Sequence, residues 1–198
     1  MAKLEFRYAV MNSGKSLNLL GVHHNYVSIG RKTVLFSHGL DNRFGESVIA
    51  SRIGASAPSI AISEETNLFE VVLAKVQNGE DIACVLTDET QFYTSAQIHQ
   101  LGEIVDELNI PVIAYGLKTN FQGELFEASK TLLEIADKIE GLKQVCHCGR
   151  GATMVLKFNP VDFSVIREGE IVEIGSESSY VSVCRKHWKA GDIGNHSE

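Results

Sequence analysis

The chain has 198 residues, 44% of them apolar and 22% charged, which suits one domain or one domain with a small appendage and excludes a disordered chain. Lys and Arg number 18 against 25 Asp and Glu, a net charge of −7; with no basic run beyond Arg185-Lys186-His187, this balance argues against nucleic acid as the main partner. No stretch approaches the roughly 20 apolar residues of a membrane span, and the scattered charges of Met1–Arg7 are unlike a signal peptide, so no membrane is expected as partner and the cytoplasm is the expected location.

Lys3–Val10 reads as a strand entering the loop Asn12-Ser13-Gly14-Lys15-Ser16. Leu17, Leu19, Leu20, Val22, Tyr26 and Val27 then recur at helical spacing up to Gly30. Thr33–Phe36 is a short apolar strand, and Thr66–Val76 is a helix with Leu68, Val71, Val72 and Lys75 at helical intervals. Ile82–Thr87 is apolar on both faces, as internal parallel strands are. Thr94-Ser95-Ala96-Gln97 matches a capping box ahead of the stripe Ile98, Leu101, Val105 and Leu108. Pro111–Tyr115 is another buried strand, and Gly123-Glu124 opens a last long helix bearing Leu125, Ala128, Leu132, Leu133 and Ala136. Strands alternating with helices predict an α/β domain, a mostly parallel sheet flanked by helices, over residues 1–143. After Gln144 the rhythm changes. Met154–Phe158, Glu170–Ile174 and Tyr180–Val183 predict a small β-rich lobe over residues 144–190, followed by a frayed polar tail over 191–198.

The strongest local signal is Ala9-Val10-Met11-Asn12-Ser13-Gly14-Lys15-Ser16, set between a strand and a helix as a phosphate-binding P-loop must be. Its chemistry needs backbone N–H groups around the phosphates, a Lys for the β and γ oxygens and a hydroxyl for Mg²⁺. Gly14, Lys15 and Ser16 supply these, while Ala9 stands where the pattern has its first glycine. The strand Ile82–Thr87 ends in Asp88-Glu89. An acid at such a strand end helps hold Mg²⁺, and its neighbour can take a proton from an attacking hydroxyl.

Cys146-His147-Cys148 and Cys184-Arg185-Lys186-His187 form a third signal. Brought together they make a Cys₃His set, tetrahedral and closed, hence a structural Zn²⁺ site. The C-x-C spacing is tighter than usual, which keeps His147 open as an alternative ligand. Cys84 lies in mid-strand and reads as core. Asp41-Asn42-Arg43 lies in a loop where an arginine could touch phosphate, although a surface role is the simpler reading. Phe92, Phe121, Phe126 and Tyr180 could line a pocket for a flat base or could be core; their spacing does not decide.

Taken as a set, these motifs resemble the thymidine kinases of the small, zinc-containing type II family. The resemblance rests on Met11–Ser16, Asp41-Asn42-Arg43, Ser51-Arg52-Ile53-Gly54, Asp88-Glu89-Thr90-Gln91-Phe92, Tyr115–Phe121, Gly123-Glu124-Leu125-Phe126 and Tyr180–His187, which run in order through nearly the whole chain. The Cys-His-Cys and Cys-Arg-Lys-His pairs are similar to the enterobacterial branch. The resemblance implies a P-loop NTPase fold of the RecA-like kind, with a small zinc-binding lobe that carries a lasso loop. It implies transfer of the ATP γ-phosphate to the 5′-hydroxyl of thymidine, and of deoxyuridine, in nucleotide salvage.

By matching position, Glu89 would be the base. Ala9 to Ser16 would cradle the phosphates, with Asp41, Asn42 and Arg43 beside them. Asp88, followed by Thr90 and Gln91, would serve Mg²⁺ and the cofactor side, Thr90 standing where Ala is frequent and facing the site. Met11, Phe92, Phe121, Phe126 and Tyr180 would line the nucleoside pocket. A lasso of Ile171, Val172, Glu173, Ile174 and Gly175 would grip the base through its backbone, and Cys146, Cys148, Cys184 and His187 would hold zinc. The family also implies a homotetramer inhibited by thymidine triphosphate (dTTP). Two other classes fit parts of the pattern. One is a P-loop ATPase with a zinc ribbon for nucleic acid, disfavoured by charge and length; the other is a nucleotide-binding regulator in which Glu89 is idle.

Overall fold

The computed structural model describes residues 1–38, 48–169, 171 and 180–194. A six-stranded sheet is built from β1 (Leu4–Ala9), β2 (Lys32–His38), β5 (Ile60–Ile62), β6 (Ile82–Thr87), β7 (Val112–Leu117) and β8 (Lys138–Gly141), in the order β5-β2-β6-β7-β1-β8. Every pairing within it is parallel. The inner strands β2, β6 and β7 are apolar on both faces, and each face has its own cover. Leu4, Phe6, Val34, Phe36, Val85, Val112 and Ala114 meet α2 (Leu68–Gln77), α3 (Ser95–Leu108) and α4 (Glu127–Ile135). The alternate residues Leu35, Cys84, Leu86, Ile113 and Tyr115 meet Leu19 and Leu20 of α1 (Lys15–Val27) and the hairpin of β3 (Val48–Ala50) and β4 (Ser56–Pro58). Period-two alternation of two apolar sets is what a doubly covered parallel strand requires.

The capping box at Thr94 is formed in both directions: the Thr94 hydroxyl accepts from the Gln97 N–H and the Gln97 side chain accepts from the Thr94 N–H. One helix begins later than its apolar pattern predicts. α4 starts at Glu127 rather than Gly123, because the Asn120 side chain accepts from the Gln122 and Glu124 amides and Thr119 bridges Leu125, which holds 119–125 as a turn.

Beyond the main sheet, β9 (Met154–Phe158) pairs antiparallel with β10 (Val165–Ile166) and β11 (Tyr180–Val183), and α5 (Arg185–Ala190) comes after them. Of the predicted strand over 170–174, Ile171 alone falls within the described residues. The small sheet is fastened to the P-loop. Val10 is buried among Val155, Leu156 and Val183, the Ser182 hydroxyl donates to the Met11 carbonyl at 2.7 Å, and the Gln144 amide donates to the Asn12 carbonyl at 2.8 Å. The chain beyond α5, expected to fray, turns back through Gly191–Gly194, where the Asp192 N–H donates to the His187 carbonyl at 2.9 Å. Among the described residues no helix is long and apolar enough to cross a membrane.

Candidate active site

At the carboxyl end of β1 the chain curls before α1 begins. Asn12 (φ +59°) and Gly14 (φ +78°) are left-handed, and Gly14 occupies the N-cap position without a side chain to cap it. The first-turn N–H groups of α1 therefore keep their donors, and the positive end of the helix dipole, for an anion. Lys15 is buried at the head of the helix. A cleft of about 430 Å³ opens over this turn, lined by Asn12 to Leu17, by Ala50 to Ile53 and by Glu89. Ala9 and Val10 are buried beneath it as the end of β1 and its packing anchor.

β6 delivers the acidic pair to the same cleft. The Ser16 hydroxyl donates to Asp88 Oδ2 at 2.8 Å, and Lys15 Nζ stands 4.0 Å from Glu89 Oε1. Asp88 is 6% exposed. Burial, and then the neighbouring Glu89 charge, raise its carboxyl from 3.8 to about 6, against the pull of Lys15 and the Ser16 hydroxyl. Glu89 itself adopts φ +48°, a conformation that L side chains rarely take. Its N–H donates to Asp88 Oδ1 at 3.0 Å, and Gln91 Nε2 donates to Glu89 Oε2 at 2.5 Å. The strained backbone and the amide clamp together aim the carboxylate over the phosphate loop.

Two cofactor-side assignments change on this geometry. Thr90 does not face the cleft. It is fully buried in the short turn that follows β6, with its hydroxyl donating to the Tyr115 carbonyl of β7 at 2.8 Å and lying 2.8 Å from the Thr87 hydroxyl. Gln91 is also buried, and its amide is divided between Glu89 and the Leu117 N–H. Its amide is thus committed to these two partners and does not line the cleft. Gly116 permits this approach: a Cβ there would lie 3.0 Å from Gln91 Oε1 and 3.1 Å from its backbone nitrogen.

Beside the acidic pair is an apolar slot of about 90 Å³. It gathers Met11, Phe92, Phe121, Phe126 and Tyr180 with Ile171, every described residue expected to line a nucleoside pocket. Phe92 meets Phe126 edge-on with ring centroids at 6.0 Å, and Phe121 meets Tyr180 at 6.4 Å. Lys157, buried in β9, lies over both of the latter rings at 5.1 and 5.9 Å. Asp41, Asn42, Arg43, Val172, Glu173, Ile174 and Gly175 lie outside the described residues.

Ser51 and Arg52 also line the cleft; their block carries the family resemblance, but no motif spacing gives it a role beside the P-loop. Leu117, Thr119 and Asn120, within the Tyr115–Phe121 block, and Val155 of β9 line the slot as well, without a role assigned from the sequence.

The third cluster has the donors of a closed metal site. Cys146, Cys148, Cys184 and His187 place their ligand atoms within 4.8 Å of one another. Cys148 Sγ lies 4.0 Å from Cys184 Sγ, and His187 Nδ1 lies 3.3 and 3.6 Å from Cys146 Sγ and Cys184 Sγ. Tetrahedral zinc with Zn–S near 2.3 Å and Zn–N near 2.0 Å implies donor separations of about 3.8 and 3.5 Å, so the set fits. All four cysteines of the chain are free thiols, and Cys84 is buried core. His147 adjoins the four without completing the set: its Nδ1 lies 3.8 Å from Cys146 Sγ, and its ring stacks on His187 at 4.3 Å and 14°.

The sheet has a structural counterpart in a solved ATPase domain, with a TM-score of 0.50 at 15% identity over 94% of this chain and 82% of that one; this likeness concerns the fold alone. Sequence relatives are nearer. The thymidine kinase of Coxiella burnetii is 47% identical over 191 residues, 96% of this chain and 97% of that protein. The thymidine kinase of Salmonella typhimurium is 48% identical over 189 residues, covering 96% and 91%, and that of Haemophilus influenzae strain Rd is 47% identical over 189, covering 96% and 97%. A family model described as thymidine kinase matches residues 2–188, nearly the whole chain, and on that match the chain belongs to the thymidine kinase family.

Proposed function

We propose that this protein transfers the γ-phosphate of ATP to the 5′-hydroxyl of thymidine, and of deoxyuridine, yielding the nucleoside monophosphate and ADP. The observation that carries the reading is the meeting of Lys15, Ser16, Asp88 and Glu89 in one cleft, 2.8 Å between Ser16 and Asp88 and 4.0 Å between Lys15 and Glu89, with an aromatic slot alongside. The 5′-oxygen attacks the γ-phosphorus as its proton passes to Glu89, and the bond to the β–γ bridging oxygen breaks with its electrons leaving on ADP. Lys15 and the N–H groups of the P-loop hold the β and γ oxygens. Mg²⁺ would be held by the Ser16 hydroxyl and the Asp88 carboxylate, supplying neutralisation of the phosphate charge.

Phe92, Phe121, Phe126 and Tyr180 sandwich the base. Residues 171–175 grip it through their backbone, and Asp41 and Arg43 flank the phosphates. In this reading residues 1–143 are the nucleotide-binding domain, and 144–190 form a lobe that structural zinc stabilises. A cytoplasmic homotetramer with dTTP as feedback inhibitor belongs to the same proposal. Labelled ATP offered with a panel of nucleosides tests it. Product with thymidine and deoxyuridine alone supports the kinase; ATP hydrolysis stimulated by DNA, with no nucleoside product, overturns it.

The Asp88 carboxyl adds a stability consequence. Its value in the folded chain, about 6, exceeds the ordinary 3.8, so between these values the unfolded chain surrenders the proton first. Stability contributed by this group therefore falls as pH rises through that window, and the cost persists at neutral pH. Asp88→Asn is expected to melt above the wild type at neutral pH and level with it well below both values, while losing phosphoryl transfer. Thermal melts across pH check this; a neutral-pH melting point below that of the wild type would contradict it.

A further inference from the structure

Behind the Cys₃His cluster lies a second layer of polar groups. After α5 the chain reverses at Gly191 (φ +69°), and two hydrogen bonds fix the segment 192–194. The Asp192 N–H donates to the His187 carbonyl, and the Gly194 N–H donates to Asp192 Oδ1, both at 2.9 Å. The Asp192 carboxylate is thereby held across the outer edge of two imidazoles, with Oδ2 3.8 Å from His187 Nε2 and Oδ1 3.7 Å from His147 Nε2. Gly194 (φ +77°) is pressed against the stacked pair, since a Cβ there would come within 2.8 Å of the His147 ring.

The two edges of His187 thus have different surroundings: Nδ1 faces the thiols and Nε2 faces a carboxylate. An imidazole that binds a metal through Nδ1 must carry its proton on Nε2. An anion beyond that proton fixes the tautomer, orients the ring and makes the ligating nitrogen a stronger donor. At 3.8 Å the contact is charge–dipole, and a shift of roughly 1 Å turns it into a hydrogen bond.

We propose that Asp192 is a positioning carboxylate for the metal centre, holding His187 in its ligating orientation and slowing metal loss. This rests on reading Cys146, Cys148, Cys184 and His187 as a zinc set. The test is zinc release from the purified, folded protein to a chromogenic chelator, after the zinc content has been measured. Asp192→Ala is expected to release zinc roughly 10- to 100-fold faster than wild type.

Asp192→Asn separates the carboxylate's effect from a merely structural one. Its side-chain oxygen can still accept from the Gly194 N–H and keep the turn, but it offers no charge to His187. Faster release from Asp192→Asn as well supports the proposal. Wild-type release from Asp192→Asn reduces Asp192 to a turn former and overturns it, as does wild-type release from both variants. A wild-type protein that contains no zinc removes the zinc reading itself, and this inference with it.

Discussion

Replacing Glu89 by glutamine is expected to lower turnover by roughly 10²–10⁴ while ATP binding stays close to that of the wild type. The substitution preserves shape. Its backbone, already at φ +48° and tied to Asp88 Oδ1, need not move, and a glutamine carbonyl can still accept from Gln91. What is lost is the capacity to take a proton, together with the charge 4.0 Å from Lys15 Nζ. The phosphate contacts proposed for Lys15 and the first-turn amides would be unchanged. Calorimetric ATP titration beside single-turnover phosphoryl transfer measures the two effects separately. Full turnover in Glu89→Gln would remove the base assignment, and lost ATP binding would make the residue part of the phosphate site.

The second large effect is expected from Cys184→Ser: loss of bound zinc, a lower melting point and a higher thymidine requirement. Closed zinc sites in small domains contribute on the order of 10 kcal/mol to folding, and each kcal/mol corresponds to about 2–4 °C for a chain of this size. The effect on substrate arises from connectivity. Cys184 directly succeeds β11, whose Tyr180 lines the aromatic slot and whose Ser182 donates to the Met11 carbonyl. The indole of Trp188 in α5 donates to the Phe121 carbonyl at 3.0 Å. Loosening the metal cluster therefore loosens two walls of the slot. Zinc assay, thermal melt and the thymidine KM should change together; a variant that keeps its zinc and melts with the wild type would refute the prediction.

The elements legible in the sequence are those whose burial imposes a period. Ile82–Thr87, Met154–Phe158 and Tyr180–Val183 carry their observed bounds in the pattern itself, because a strand packed on one or two faces must present apolar residues in order. β3, β4 and β5 escape such a reading, since three residues are too few to establish a period. β8 escapes it because Lys138–Gly141 is an exposed edge strand recruited by pairing with β1 rather than by burial.

The site divides similarly. Gly14, Lys15, Ser16, Asp88 and Glu89 stand out because phosphate chemistry constrains type and spacing along the chain. Thr90 and Gln91 share the motif, yet their side chains answer to packing against Tyr115 and Leu117, which no spacing encodes. Asp192 matches no metal-ligand spacing, and its relation to His187 exists only after α5 has turned.

One strand governs a dimension on which catalysis depends. β7 lies between β1, which carries the P-loop, and β6, which carries Asp88 and Glu89, and all six of its residues are buried. With adjacent strands about 4.8 Å apart, donor loop and acidic pair stand on rails roughly 10 Å apart, gauged by a strand of which Leu117 alone lines the slot and none lines the cleft. A bulkier side chain at Ala114 must be accommodated by displacing the strands or the helices above them, moving Lys15 relative to Glu89. Inherited or engineered changes deep in β7 would then present as slow enzymes of normal affinity, and a survey confined to cleft-lining residues would overlook them.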